Sequence, residues 1–224
     1  MKASRRRLVT ALGLVAASLF CVALVALRVA ESGSTKFSGL AWNLFLAWIP
    51  FLLAVVVYDR WRRGRGRASL LVLGALWLLF FPNAPYIVTD FVHLERTADA
   101  PYWYDAVTVS AFAWTGLLLG FASLFLMQTV VRQWRGVAAG WTFAALAIAL
   151  GSLGIYLGRF LRLNSWDALE HPSVLPRIAH AVARDPFAYQ EAIAVTVLFA
   201  IALGFAYFLL YSFAVVGREL DAEL

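Results

Sequence analysis

The chain has 224 residues, 62% of them hydrophobic and 14% charged, with a formal net charge of +6. Soluble domains average roughly 45–50% apolar and about 25% charged residues, so this composition excludes a soluble globular protein and fits a chain built for a bilayer. The single cysteine, Cys21, lies in an apolar run with no second thiol in the chain, so cysteine usage says nothing about compartment.

Six apolar runs follow one another at 8–30, 39–58, 68–93, 104–131, 138–157 and 191–216. Each is near or above the roughly 20 residues that a helix needs to cross a bilayer. The expected fold class is therefore all-α: a polytopic membrane helix bundle, one membrane domain over 1–224, with a broken third helix. The first run, Leu8 to Leu27, follows Lys2, Arg5, Arg6 and Arg7 as a signal peptide core would. Its length exceeds the about 7–15 apolar residues of such a core and no convincing small-x-small cleavage site follows, so it reads as a retained anchor.

The second run ends in Arg60, Arg62, Arg63, Arg65 and Arg67, and this cluster sets the topology. With the N-terminus inside, inner segments hold twelve of the nineteen Lys and Arg residues, and outer segments hold seven beside nine of the thirteen acids. The positive-inside rule then predicts a multi-pass plasma-membrane protein with both termini cytoplasmic and polar loops outside at about 82–103 and 158–190. All three histidines fall in those two loops. A nucleic-acid partner is not expected. The arginine cluster reads as a cytoplasmic stop signal that also attracts anionic membrane lipids.

The third run carries the most informative stretch, Phe80-Phe81-Pro82-Asn83-Ala84-Pro85-Tyr86-Ile87-Val88-Thr89-Asp90-Phe91-Val92-His93. Pro82 and Pro85 lack N–H donors and disfavour helix in the residue before each, so the Leu78–Phe81 turn loses hydrogen bonds and the helix should kink or unwind. From Ala68, a rise of ~1.5 Å per residue puts Pro82 about 21 Å along the axis, in the outer half of a ~30 Å hydrocarbon layer. Polar groups at that depth must be satisfied by protein or enclosed water, which makes the stretch a candidate functional site. If α-helix resumes after the break, Asn83, Tyr86, Asp90 and His93 share one stripe with Thr89 beside it. Asp90 and His93 suit a carboxylate–imidazole acid/base pair. The plainer reading is that Asn83 and Tyr86 cap the broken backbone while Asp90 and His93 meet water.

In the fourth run Gly116 and Gly120 are spaced for close helix approach, as are Gly151, Gly154 and Gly158 in the fifth. Tyr156, Arg159 and Arg162 should share a helical face where the fifth span leaves the membrane. Two guanidinium groups there call for anions, either Asp90 or a phosphate or carboxylate ligand. The competing reading is interfacial snorkelling, with Asn164 or Ser165 capping a following helix. Asp167 completes the proposed lining, and an amphipathic pattern near 173–184 predicts a short interfacial helix.

No cofactor is expected, because no P-loop, dinucleotide fingerprint or haem-attachment motif occurs. A zinc site from Asp90, His93, His171 and His180 is a weaker alternative, since neither HExxH spacing nor paired cysteines are present.

The run Phe81 to Asp90 followed by His93-Leu94, together with Tyr156-Leu157-Gly158-Arg159-Phe160 and Asn164-Ser165-Trp166-Asp167, resembles the bacterial multi-spanning proteins grouped as domain of unknown function 1361. The resemblance covers about 40–216. It implies a bacterial plasma-membrane protein and brings no activity, cofactor or catalytic residue. Three functions follow from the residues themselves. The first is an enzyme or binding protein acting on an anionic or lipid-linked ligand at the outer leaflet, with Asp90 and His93 as acid/base pair and Arg159 and Arg162 as anion clamp. The second is a small-solute or proton-coupled transporter, weakened because span six has no proline break to mirror span three. The third is an assembly subunit whose polar residues hold helices together. Composition and spacing leave the oligomeric state open.

Overall fold

The computed structural model describes residues 2–64, 66–171, 173, 176–177, 180, 184 and 189–223. Among the described residues all regular structure is helical. The helices are α1 (Lys2–Ser32), α2 (Ser38–Arg62), α3 (Arg67–Phe80), α4 (Asn83–Tyr86), a 3₁₀ helix (Ile87–His93), α5 (Tyr102–Arg135), α6 (Val137–Phe160), α7 (Asp167–Glu170) and α8 (Gln190–Glu223). The interfacial helix expected near 173–184 falls on a stretch whose apolar positions, 174, 175, 178 and 181–182, lie outside the described residues.

Among the described residues six segments are long and apolar enough to cross a membrane: Leu8–Ser32, Ser38–Arg62, Ala68–His93, Tyr102–Arg135, Val137–Phe160 and Gln190–Gly217. They coincide with the six runs read from the sequence, and the third is the interrupted one. The protein is a multi-pass membrane helix bundle. Large apolar side chains on its surface, such as Leu71, Val72, Phe205 and Phe213, are what a helix turned toward lipid requires, because only an apolar exterior is stable there.

Residue contacts cluster into two compact units, Met1–Ser123 and Leu124–Leu224. In the first, α2 is the hub, packing on α3, α4, α1 and the 3₁₀ helix. It contains Pro50, buried, and runs through it without a break. One proline removes one hydrogen bond, whereas two prolines three residues apart strip consecutive turns, and α3 stops. In the second unit α6 packs along α8, and Trp141 stacks edge-on against Tyr211 at 4.8 Å between ring centres. Trp141 also meets Tyr207 at 6.4 Å.

Candidate functional site

A backbone shift and one side chain repair part of what the two prolines undo. Ala84 N–H turns from its α-helical acceptor, Phe80 O, to Phe81 O at 3.2 Å, the carbonyl that Pro85 cannot serve. That shift strands Phe80 O, and Asn83 Nδ2 donates to it at 2.9 Å. Thr89 Oγ1 donates to Tyr86 O at 2.7 Å on the far side of the break. Asn83 and Thr89 thus act on backbone carbonyls, since an unmet carbonyl in hydrocarbon costs several kcal/mol.

The fourth span makes room for this turn. A Cβ on Gly116 would stand 2.6 Å from Ala84 O and 2.8 Å from Ile87 Cδ1, and one on Gly120 would stand 3.1 Å from Ala84 Cβ. The pair is a small-xxx-small face that lets α5 approach the backbone of the break itself. Trp77 Nε1, one turn before the break, donates to Ser123 Oγ on α5 at 3.2 Å.

After Tyr86 the chain winds as 3₁₀ rather than α-helix. Residues three apart eclipse in that geometry, so Ile87, Asp90 and His93 form one edge while Tyr86 and Thr89 belong to another. The single stripe expected from α-helical spacing is therefore split, and Tyr86 is carried away from Asp90. The Asp90 edge passes outward from buried Ile87 to exposed His93. Asp90 is 5% exposed, and Asn43 Nδ2 of α2 donates to its Oδ2 at 2.9 Å. The amide donor anchors the edge to the hub helix.

Sequence reasoning did not single out Asn43, although an amide inside the apolar run 39–58 is a signal in its own right. It also missed a buried ion pair of this unit. Arg28 Nε donates to Asp105 Oδ1 at 2.7 Å and Nη2 to Oδ2 at 3.2 Å, a fork-on-fork pair with both side chains 1% exposed. The guanidinium also lies over the Phe37 ring at 5.1 Å from its centre. Tyr104 OH donates to Leu24 O at 2.7 Å beside it. Arg28 and Asp105 lie 77 residues apart, a separation that no spacing rule connects.

In the second unit α6 ends at Phe160, two residues before Arg162. Arg162 adopts φ 54, the left-handed conformation usually left to glycine after a helix, and Leu163 N–H closes back on Leu157 O at 3.1 Å. Arg159, half-buried, remains in the last helical turn beside the stacked rings of Tyr156 and Phe160, while Arg162 is exposed beyond it. The shared helical face expected for the two arginines is not formed, because the helix stops between them. Asp167 Oδ2 accepts from Asn164 N–H at 2.6 Å and from its Nδ2 at 3.3 Å, closing the turn into α7 as the acidic partner in a capping box does. His171 and His180 are exposed. Among the described residues no three His, Cys, Asp or Glu side chains are placed to hold a metal ion, so the zinc alternative carries no proposal.

The profile of the family described as Protein of unknown function (DUF1361) matches residues 42–210. The chain belongs to this family. The match takes in Asn43, the whole of the broken span, α5 and α6. No curated protein and no solved structure is significantly similar to the chain.

Proposed function

We propose that this member of the DUF1361 family is a bacterial plasma-membrane protein, both termini cytoplasmic, whose broken third span handles protons for an anionic or lipid-linked ligand at the outer leaflet. The observation that carries this reading is the Asp90 edge: a buried carboxylate, held at 2.9 Å by Asn43, one 3₁₀ turn from an exposed imidazole. Residues three apart on such a helix are separated by about 6 Å along the axis, close enough for one water to link the two groups. A buried carboxylate one 3₁₀ turn from an imidazole is a suitable pair for proton transfer. Within the second unit, Arg159 and Arg162 are proposed as anion-holding groups on the strength of their charge and donor geometry.

Native mass spectrometry of the protein released from its own membrane tests the reading. The native chain should retain a bound anionic species, Arg159→Gln should lose it, and Asp90→Asn should retain it in altered amount or mass. An empty native protein, or the same species at the same level in every variant, contradicts the proposal.

A second reading, an assembly subunit, is favoured by the capping roles of Asn83 and Thr89. It predicts that Asp90→Asn lowers thermal stability in detergent with no change in bound species.

A further inference from the structure

The second unit holds a cavity of about 400 Å³ where α5 turns into α6, lined by Gln128, Arg132, Gly136, Val137 and Tyr211 among others. We infer that this cavity binds a phosphate-bearing anion, independently of the broken third span.

Beside Phe125 and Val137, its wall carries several hydrogen-bond donors. Gln128, one of the lining residues, is 2% exposed; its Oε1 accepts from Tyr207 OH, and its buried Nε2 has no hydrogen-bond partner. A buried amide nitrogen without an acceptor is costly, and a bound anion would supply the missing one. Arg132 Nη1 donates to Tyr211 OH at 2.7 Å, which aligns the guanidinium along the cavity and leaves the phenol its own proton to give. Gly136 and Val137 bring the N-terminus of α6, a helix of 24 residues whose first N–H groups have no intrahelical acceptor.

The turn that assembles these groups is very short. Gly136 alone separates the two helices, at φ 94, and its N–H closes on Arg132 O at 2.9 Å. Gly140 brings α6 so near α5 that a Cβ there would stand 3.0 Å from Arg132 Cβ. None of the residues lining the cavity is acidic. A guanidinium, an amide, a phenol and a helix N-terminus converging without a counter-charge match the tetrahedral oxygens of a phosphate group.

The position favours a phospholipid headgroup over a soluble phosphate compound. Helix α5 has 34 residues, about 51 Å at ~1.5 Å each, against a hydrocarbon layer of ~30 Å. Arg132 and Arg135 lie in its last turn, so this end emerges at headgroup level.

The full chain in detergent micelles, titrated with short-chain phosphatidylglycerol, short-chain phosphatidylcholine and glycerol 3-phosphate, separates the alternatives. Phosphatidylglycerol should bind at least about tenfold more tightly than phosphatidylcholine, and Arg132→Gln should weaken it about tenfold, the scale of one charge-assisted hydrogen bond. Arg135→Gln is the control of equal charge: Arg135 stacks over Trp134 at 4.4 Å and does not line the cavity, so its loss should change affinity less than about twofold. Because Gln128 is buried, Gln128→Leu is read only if it keeps the native melting temperature; it should then match the Arg132→Gln loss. Tighter binding of glycerol 3-phosphate than of phosphatidylglycerol keeps the phosphate site and assigns it a soluble ligand. Equal losses in Arg132→Gln and Arg135→Gln, or no preference over phosphatidylcholine, would overturn the inference. Arg132→Gln leaves Asp90 untouched, so failure here is distinguishable from failure of the proposed outer-leaflet function.

Discussion

At the broken third span, Asn83 gives its proton to the stranded Phe80 carbonyl, Thr89 bonds back to Tyr86 O, and Asp90 accepts from Asn43. At the α5–α6 turn the equally buried Gln128 keeps an amide nitrogen with no hydrogen-bond partner, in a wall that also holds Arg132. The contrast separates conspicuous polarity from available polarity. The proline break strands the Phe80 carbonyl, which Asn83 is recruited to meet, leaving Asp90 and His93 as the groups suited to chemistry. An intact helical hairpin strands nothing along its length, so a polar side chain inside it is left for another partner.

The largest expected effect tests how strongly the first unit depends on internally matched polar groups. Asp105→Ala leaves the Arg28 guanidinium buried and unpaired, and should cost about 3–5 kcal/mol in reversible unfolding in micelles. The double change Arg28→Met with Asp105→Leu should recover most of that loss. A double variant as unstable as the single one would show that the pair itself, rather than the uncompensated charge, holds the helices.

Next in size is the contact between the break and α5. Gly116→Val drives side-chain atoms into Ala84 O and should cost about 1–3 kcal/mol, whereas Gly120→Ala, whose nearest neighbour is the Ala84 methyl at 3.1 Å, should cost less. Equal tolerance at both positions would mean that α5 does not press on the broken backbone. Asn83→Ala, which strands Phe80 O, should cost about 1–2 kcal/mol by the same assay. The smallest stability effect belongs to the other region: Arg132 is exposed, and Arg132→Gln should shift stability by less than about 0.5 kcal/mol while weakening phosphatidylglycerol binding.

How much of this was legible in the sequence depends on the range of the interaction. Hydropathy and length place all six spans, because lipid imposes one local rule on every residue of a span. The break at Pro82 and Pro85 is equally local, since each proline deletes a donor whose partner is known by position. The winding after the break was not legible. An α-helical stripe and a 3₁₀ edge share the three-residue spacing of Asp90 and His93, and only the placement of Tyr86 tells them apart. The capping role of Asp167 was signalled by Asn164 three residues earlier, a pattern that also serves a ligand-facing carboxylate. Arg28–Asp105 and Asn43–Asp90 were invisible as pairs. Their members are 77 and 47 residues apart, and their partnership is decided by tertiary packing.

A double-mutant cycle on Asn43 and Asp90 tests the central claim most directly, namely that the broken span is anchored to α2 through its one buried carboxylate. Unfolding free energies of Asn43→Ala, Asp90→Ala and the double variant in the same micelles should give a coupling of about 1–2 kcal/mol. Additivity within about 0.3 kcal/mol would contradict the account, because it would mean that the amide and the carboxylate do not interact in the folded protein.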